Sequence, residues 1–353
     1  MKRILLIGAG HAHLTILRGL KKEALASARL ALVAPRASQI YSGMLPGVIA
    51  GHYRRDEAEI DVARLAGAVS AEFIQGEVVK LDPAQKLARL ADGTELEYDQ
   101  ASINVGALPD RAIPGAQFAL AVKPHEAFYD KLLSARLNRV AIAGAGLSGA
   151  EIAMALRHRG AAVTLYSEQA ELWPPQLLPV LRREGVDVRP GMPVEEIQRG
   201  PVVIVGASTQ EFDLVLLATA AAPQTWLRNT GLPVDERGFL LVDDTLRSIG
   251  NPDVFAVGDC ATLQSQPLPR SGVYSVRQGE TLLATLRNMA RGESPVVYRP
   301  QQRALVLVSC GRRYALAHRG SWSAQGWWAW WWKNHVDRKW VRSLGPDSAN
   351  SGL

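Results

Sequence analysis

The stretch Arg139–Glu151 reads RVAIAGAGLSGAE. Its apolar run, Val140 to Ala143, leads straight into Gly144, Gly146 and Gly149, and an Ala- and Leu-rich segment follows. That order predicts a strand, a tight turn and a helix, the arrangement that cradles a dinucleotide. Glycine is required there because a Cβ would obstruct the turn, the approach of the pyrophosphate or the packing of helix on strand. The chain opens with a second version of the pattern, RILLIGAGHAH from Arg3 to His13. Two such loops predict two bound nucleotides and an α/β fold with two Rossmann-like dinucleotide-binding domains.

The two loops differ. The first has Gly8 and Gly10, but His13 stands where the fingerprint takes Gly or Ala. His11 and His13 either face a pyrophosphate or a ring, or simply line the start of the helix. The next strand, Arg29 to Val33, ends in Ala34-Pro35-Arg36, without the acid that binds a ribose hydroxyl. At the second loop the strand Ala162 to Tyr166 ends in Ser167-Glu168, and no arginine follows directly. Glu168 therefore predicts NADH in preference to NADPH.

With 353 residues the chain has room for a large core and two or three domains. Apolar and charged fractions of 47% and 21% are those of an ordinary folded protein. No apolar run approaches the roughly 18 residues of a membrane-spanning helix. The run Ile4–Ile7 behind Lys2 and Arg3 is too short for a secretory signal, so an intracellular protein is expected. Cys260 and Cys310 form no CxxC, which excludes a local redox dithiol, and the scattered histidines suggest no metal site. The net charge of +6 is concentrated between Arg299 and Arg342, where nine Lys/Arg face the single acid Asp337. Such a field suits anionic surfaces, but no nucleic-acid recognition motif accompanies it, and nucleic acid is not expected as a partner.

Further along, YSGMLPGVIAGHY (Tyr41–Tyr53) reads as a shaped loop, and residues 71–98 read as a small antiparallel layer. Tyr98 to Gly106 reads as a returning strand, residues 125–135 as a helix, and Ala150 to Arg159 as the helix after the second loop. Pro201–Gly206 and Asp213–Ala218 are expected to complete a second sheet. Val254–Val257 reads as a buried strand ending at Gly258-Asp259. Asp259 either accepts hydrogen bonds from a cofactor's hydroxyls or caps a helix beginning at Ala261. A helix over Ser275–Ala290 and short strands near 305–317 precede the tail.

With these pieces in order, the chain resembles the two-dinucleotide flavoproteins of the pyridine nucleotide–disulfide oxidoreductase superfamily. The carriers are Gly8-Ala9-Gly10, INVG at 103–106, Gly144–Glu151, LLATA at 216–220, and GFLLVDDTLRS…DVFAVGD from Gly238 to Asp259. The resemblance covers essentially residues 1–345 and implies an FAD domain (1–112 and 235–295) with an inserted NAD(P)H domain (113–234), then a C-terminal segment (296–353). It implies FAD held by Gly8, Gly10, His11, Arg36, Ser42, Gly43, Gly106, Gly258, Asp259, Gly272 and Val273. NADH would lie on Gly144, Gly146, Gly149 and Glu168. Within the superfamily, GAGHAHL, YSGMLPG and GVYSVRQG (Gly272–Gly279) look like the type II NADH dehydrogenase branch, in the subgroup sometimes fused to selenide, water dikinase. Glu151 matches a position that faces nicotinamide and flavin in that branch; otherwise it is an acid stabilised by the helix N-terminus. Tyr274 replaces a quinone-contacting glutamine, and Gln278 is retained, so Glu151, Tyr274 and Gln278 are the implied catalytic residues. Ala34 and Ala220 also depart from the family pattern.

The resemblance implies hydride transfer from NADH to FAD and onward transfer to a quinone or similar small acceptor. A carrier protein, or a selenium or sulfur compound, is the alternative acceptor, and a flavin-binding module without turnover is a third reading. Seven of the nine tryptophans lie between Trp322 and Trp340, beside Lys and Arg. That composition fits docking on a membrane surface, at the inner face of the membrane. As a helix, Trp328, Trp332, Val336, Trp340 and Leu344 form one ladder, but Trp327, Trp330 and Trp331 fall on other faces. Packing on the flavin domain and a homodimer contact are the alternative roles of this tail.

Overall fold

The structure is a computed structural model and describes residues 1–25 and 28–345. Its first sheet is built on Lys2–Ile7, whose Leu5, Leu6 and Ile7 are almost fully buried. Ala28–Ala34 and Gln100–Ile103 flank it in parallel, with Leu5 opposite both Ala31 and Ala101. Buried on both faces, these strands are continuous apolar runs rather than alternating ones. Glu72–Gln75 extends the sheet on one side and Asn251–Ala256 on the other, both parallel to their neighbours. Three short strands, Arg247–Ser248, Leu240–Val242 and Ala261–Leu263, bring the sheet to eight.

The second sheet has five parallel strands, in the order Leu120–Ala121, Leu214–Leu217, Arg139–Ala143, Ala162–Tyr166 and Asp187–Arg189. Helices His11–Leu20 and Leu147–His158 leave the tips of the two central strands at the glycine loops. Gly272–Ala290 packs on the first of these helices so closely that a Cβ on Gly279 would stand 2.4 Å from the Ala12 carbonyl oxygen. The tail begins with an antiparallel sheet of Val306–Ser309, Ala315–Arg319 and Trp322–Gly326 and ends in the helix Trp327–Leu344.

Several sequence expectations are corrected. Glu72–Gln75 joins the parallel sheet, and only Val78–Asp82, Leu87–Leu90 and Glu95–Glu97 form the separate antiparallel layer. Val202–Val205 is not part of the second parallel sheet: it pairs with Glu196–Gln198 and Ser208–Glu211 in a hairpin layer. Its burial alternates along the strand, as expected for a sheet with one solvated face. The second glycine-loop helix starts at Leu147, so Glu151 lies beyond the first turn and outside the range of a helix-terminus effect. Ala261–Leu263 is a strand, which removes the helix-cap role considered for Asp259.

The fold divides the tail ladder between surface and interior. Trp328, Trp332 and Val336 face outward, while Ala329, Trp330, Lys333, Asp337 and Leu344 are buried. The buried stripe differs from the apolar ladder because two of its members, Lys333 and Asp337, carry charge. Lys333 and Asp337 pair with each other at 2.8 Å, which makes an interior position tolerable for both. They therefore leave the count of surface charges on the tail.

Candidate functional site

Gly8 has a φ of +88° and its missing Cβ would stand 2.6 Å from the Asn104 carbonyl oxygen. Asn104 is the organiser of this loop. Its buried Oδ1 accepts from the Ala12 and His13 backbone N–H groups at 3.1 and 3.2 Å, and its Nδ2 donates to the Val257 carbonyl at 2.7 Å. Two orphan donors of the helix N-terminus are thereby satisfied, and the strand tip at Val257 is tied to the loop. Asn104 lies inside the INVG motif, but nothing in the sequence marked its side chain for this role.

The two histidines separate. His13 is fully buried, its Nδ1 2.6 Å from the Gly8 carbonyl oxygen and its Nε2 2.8 Å from Ser102 Oγ. Burial lowers its pKa to about 4, so it is a neutral structural residue. His11 instead lies among Ser42, Tyr41, Gly272 and Trp340, with its ring stacked on that of Trp340 at 6.3 Å. Burial lowers its pKa, with Asp259 pulling the other way.

Asp259 supplies the test of whether FAD fits. Its Oδ1 is buried and has no hydrogen-bond partner among the described residues, while Oδ2 lies 3.6 Å from Lys123 Nζ. A buried acceptor left unsatisfied costs about 1–3 kcal/mol, so this oxygen calls for a donor from outside the chain, such as a ribityl hydroxyl. Gly258 beside it has a φ of +73°, and a Cβ there would stand 2.4 Å from Asn104 Nδ2. Asp259, Arg270, Ser271, Tyr274 and Gln278 line one cleft. Gln278 is buried, and its Oε1 accepts from the Gly258 N–H at 2.6 Å, which fixes the strand tip. Tyr274 is partly buried and Val273 exposed, on the first turn of the helix Gly272–Ala290. Gly106 has a φ of +68° with open space around it, and Arg36 is exposed past the strand Ala28–Ala34.

The second loop matches the fingerprint position by position. A Cβ on Gly144 would stand 2.2 Å from the Ala218 carbonyl oxygen, and one on Gly149 would stand 2.1 Å from that of Gly144. Gly146 faces open space, as the approach of a pyrophosphate demands. Glu168 is exposed just past the strand Ala162–Tyr166.

Four ionisable side chains from three parts of the chain meet between these loops. Glu151 comes from the second loop's helix, Tyr41 from the shaped loop, and Lys333 and Asp337 from the tail helix. Lys333 Nζ donates to the Gly43 carbonyl at 2.7 Å and to Asp337 Oδ2 at 2.8 Å, while Tyr41 Oη lies 3.4 Å from Asp337 Oδ1. Glu151 Oε1 accepts from the Ser309 N–H at 2.7 Å. Burial lifts the Glu151 carboxyl to about 7 against the pull of Lys333 and Ser309. Burial works against the charge on Lys333, but Asp337, Glu151 and Tyr41 outweigh it and raise its pKa. Reading the sequence assigned no role to Lys333 or Asp337, and it put Tyr41 only in the loop Tyr41–Gly47 expected near the second acceptor. The i, i+4 spacing of the pair was legible, whereas its burial was not.

The family model for pyridine nucleotide-disulphide oxidoreductases matches residues 2–279. A nitric oxide reductase FlRd-NAD(+) reductase of Aeromonas salmonicida is 30% identical over 292 residues, which are 76% of this chain and 73% of the relative. A probable ferredoxin reductase, CtmF of Castellaniella defragrans, is 27% identical over 307 residues, covering 82% and 75%. The solved sulfide:quinone oxidoreductase of Aquifex aeolicus superposes with a TM-score of 0.81 at 16% identity, over 99% of this chain and 93% of that one, and shares its fold. The chain belongs to the pyridine nucleotide-disulphide oxidoreductase family. It is a flavin- and nicotinamide-dependent oxidoreductase, and FAD and NADH are its cofactors.

Proposed function

We propose that the chain takes hydride from NADH at the Gly144–Gly149 loop and delivers the electrons, through FAD, to a small redox carrier protein. The acceptor is read from the two relatives, one named for FlRd and the other for ferredoxin. The observation that carries the reading is the coexistence of two nucleotide cradles with no dithiol between them. Cys260 and Cys310 are buried free thiols, with burial pushing them up to about 11 and about 12. Electrons therefore have no cysteine relay to follow.

When bound, FAD supplies an acceptor for two electrons that can be passed on one at a time. The protein holds and orients it. The first loop and Asp259 fix the phosphate and ribityl region, with Arg36, Ser42, Gly43, Gly106, Gly272 and Val273 forming the remaining wall. Gly146 admits the NADH pyrophosphate, and Glu168 accepts from its ribose, which favours NADH over NADPH. Glu151 holds or releases a proton near neutral pH beside the fixed cation Lys333. Tyr274 lines the flavin cleft, and Gln278 keeps its floor in place.

A second reading keeps a quinone-like acceptor, with the tail lying on a membrane surface; the exposed indoles of Trp327, Trp328, Trp331 and Trp332 favour it. No helix among the described residues is long and apolar enough to cross a membrane. Anaerobic addition of NADH to the yellow protein should bleach the flavin band. Reoxidation by a ferredoxin, by a soluble quinone and by ferricyanide should then be compared. Faster turnover with the quinone than with any carrier protein would falsify the acceptor assignment, and failure of NADH to bleach the flavin would sink the whole reading.

A further inference from the structure

The tail helix keeps its packing stripe and its tryptophans largely apart. Trp330 turns inward, but Trp327, Trp328, Trp331 and Trp332 are 67, 40, 54 and 39% exposed and form two adjacent i, i+4 rows, 327 with 331 and 328 with 332. Trp331 touches the buried Trp330 edge-on, at 5.4 Å between ring centroids, but all four indoles are exposed, and large indoles gathered on a surface mark an interaction site. Toward its C-terminus the same outer face carries exposed Lys339 and Arg342. The single acid between Arg299 and Arg342 is Asp337, which is buried against Lys333, so the outer face of this segment shows only positive charge.

Two features identify the occupant. Apolar and basic residues are segregated along the helix axis, an indole end and a cationic end. A helix lying in a lipid interface separates them around the axis instead, with a basic face opposite an apolar one. Axial segregation matches a protein surface on which an apolar spot adjoins an acidic one. The second feature is position. The inner face of this helix touches Gly43 through Lys333 and Tyr41 through Asp337, and Trp340 stacks on His11. A partner on the outer face is therefore about one helix diameter, ~10 Å, from the wall of the flavin cradle.

We propose that the outer face of the tail helix is the docking platform for a small, acidic one-electron carrier protein, with Trp328, Trp331 and Trp332 as its apolar anchor and Lys339 and Arg342 as its electrostatic rim. The proposal rests on the carrier-protein reading given above. Each NADH releases two electrons and one proton as NAD+ forms. Two carrier molecules take one electron each, and the proton passes to solvent. Opposite charge at the rim accelerates encounter and makes it salt-sensitive, while the anchor sets the lifetime of the complex.

The test uses the full-length, FAD-loaded protein and an acidic [2Fe–2S] ferredoxin as probe. Two variants are compared with the parent: Trp328→Ala/Trp331→Ala/Trp332→Ala, and Lys339→Glu/Arg342→Glu. All five side chains are exposed, and Trp331 touches the core residue Trp330 edge-on, so NADH–ferricyanide turnover and flavin content serve as the folding controls. Both should raise the KM for ferredoxin at least tenfold and leave NADH–ferricyanide turnover within twofold. The charge variant should also lose most of the salt dependence. Ferredoxin reduction with an unchanged KM in both variants overturns the platform while leaving the carrier reading intact. Ferricyanide turnover with neither binding nor reduction of ferredoxin overturns both. Tryptophan-dependent sedimentation of the parent with anionic phosphatidylserine vesicles, without ferredoxin binding, assigns the face to lipid and overturns the proposal as well.

Discussion

A carboxyl lifted to about 7 is a switch at working pH, and Glu151 is held there by burial against the opposing pull of Lys333. Because its folded pKa lies above its unfolded value, the native state binds the extra proton between roughly pH 4.5 and 7. Its contribution favours the folded state at the acid end of that window and declines as pH rises through it. Glu151→Gln should flatten this slope and raise the melting temperature at pH 8 by a few degrees, as read by thermal scans across pH. The same variant should remove the near-neutral inflection from the pH profile of flavin reduction by NADH. Asp259 makes a separate prediction, because its buried Oδ1 lacks a donor among the described residues. Asp259→Ala should weaken FAD retention at least tenfold, measured as flavin released on dilution, since one charge-assisted hydrogen bond contributes about 1.5–3 kcal/mol.

Among the elements, the tail helix is informative because its inward face is held by a charge pair. Lys333 and Asp337 keep only 10% and 7% of their side-chain surface exposed. Lys333→Met leaves Asp337 and Glu151 without their cation and should destabilise the protein by about 3–5 kcal/mol in urea unfolding. The double variant Lys333→Met/Asp337→Leu should recover most of that loss, because it leaves no unpaired charge behind. The first glycine-loop helix depends on one distant carboxamide. Asn104→Ala removes an acceptor for Ala12 and His13 and the donor to Val257. Its expected cost is about 2 kcal/mol, and FAD should be lost at lower urea concentration than in the parent.

The molecule as a whole joins its two parallel sheets through the tail. The hairpin at Gly311 presses on the helix Leu147–His158, where a Cβ would stand 2.2 Å from the Met154 carbonyl oxygen. Ser309 of the same segment bonds Glu151. The tail helix reaches the opposite wall at Gly43. A chain ending at Gly326 should therefore lose FAD as well as stability, since Tyr41 and Gly43 lose their packing partners. Flavin content of the purified truncated protein checks this.

The two glycine loops, their strands and the helices behind them were legible in the sequence, because a turn that excludes a Cβ and an apolar run buried on both faces are local demands. The place of Glu168 just past a strand end was legible for the same reason, two residues beyond the strand's last position, Tyr166. The tail was not. Its helical period was visible, but which stripe faced inward depended on whether Lys333 and Asp337 found each other, and a buried ion pair cannot be told from a solvated one by spacing. Asn104, Tyr41 and Lys123 acquire their roles only when segments distant in sequence converge. The nucleotide cradles follow from local sequence demands. Which charges surround them follows only from the packed chain, because electrostatic pairing depends on distance in space and on exclusion of water.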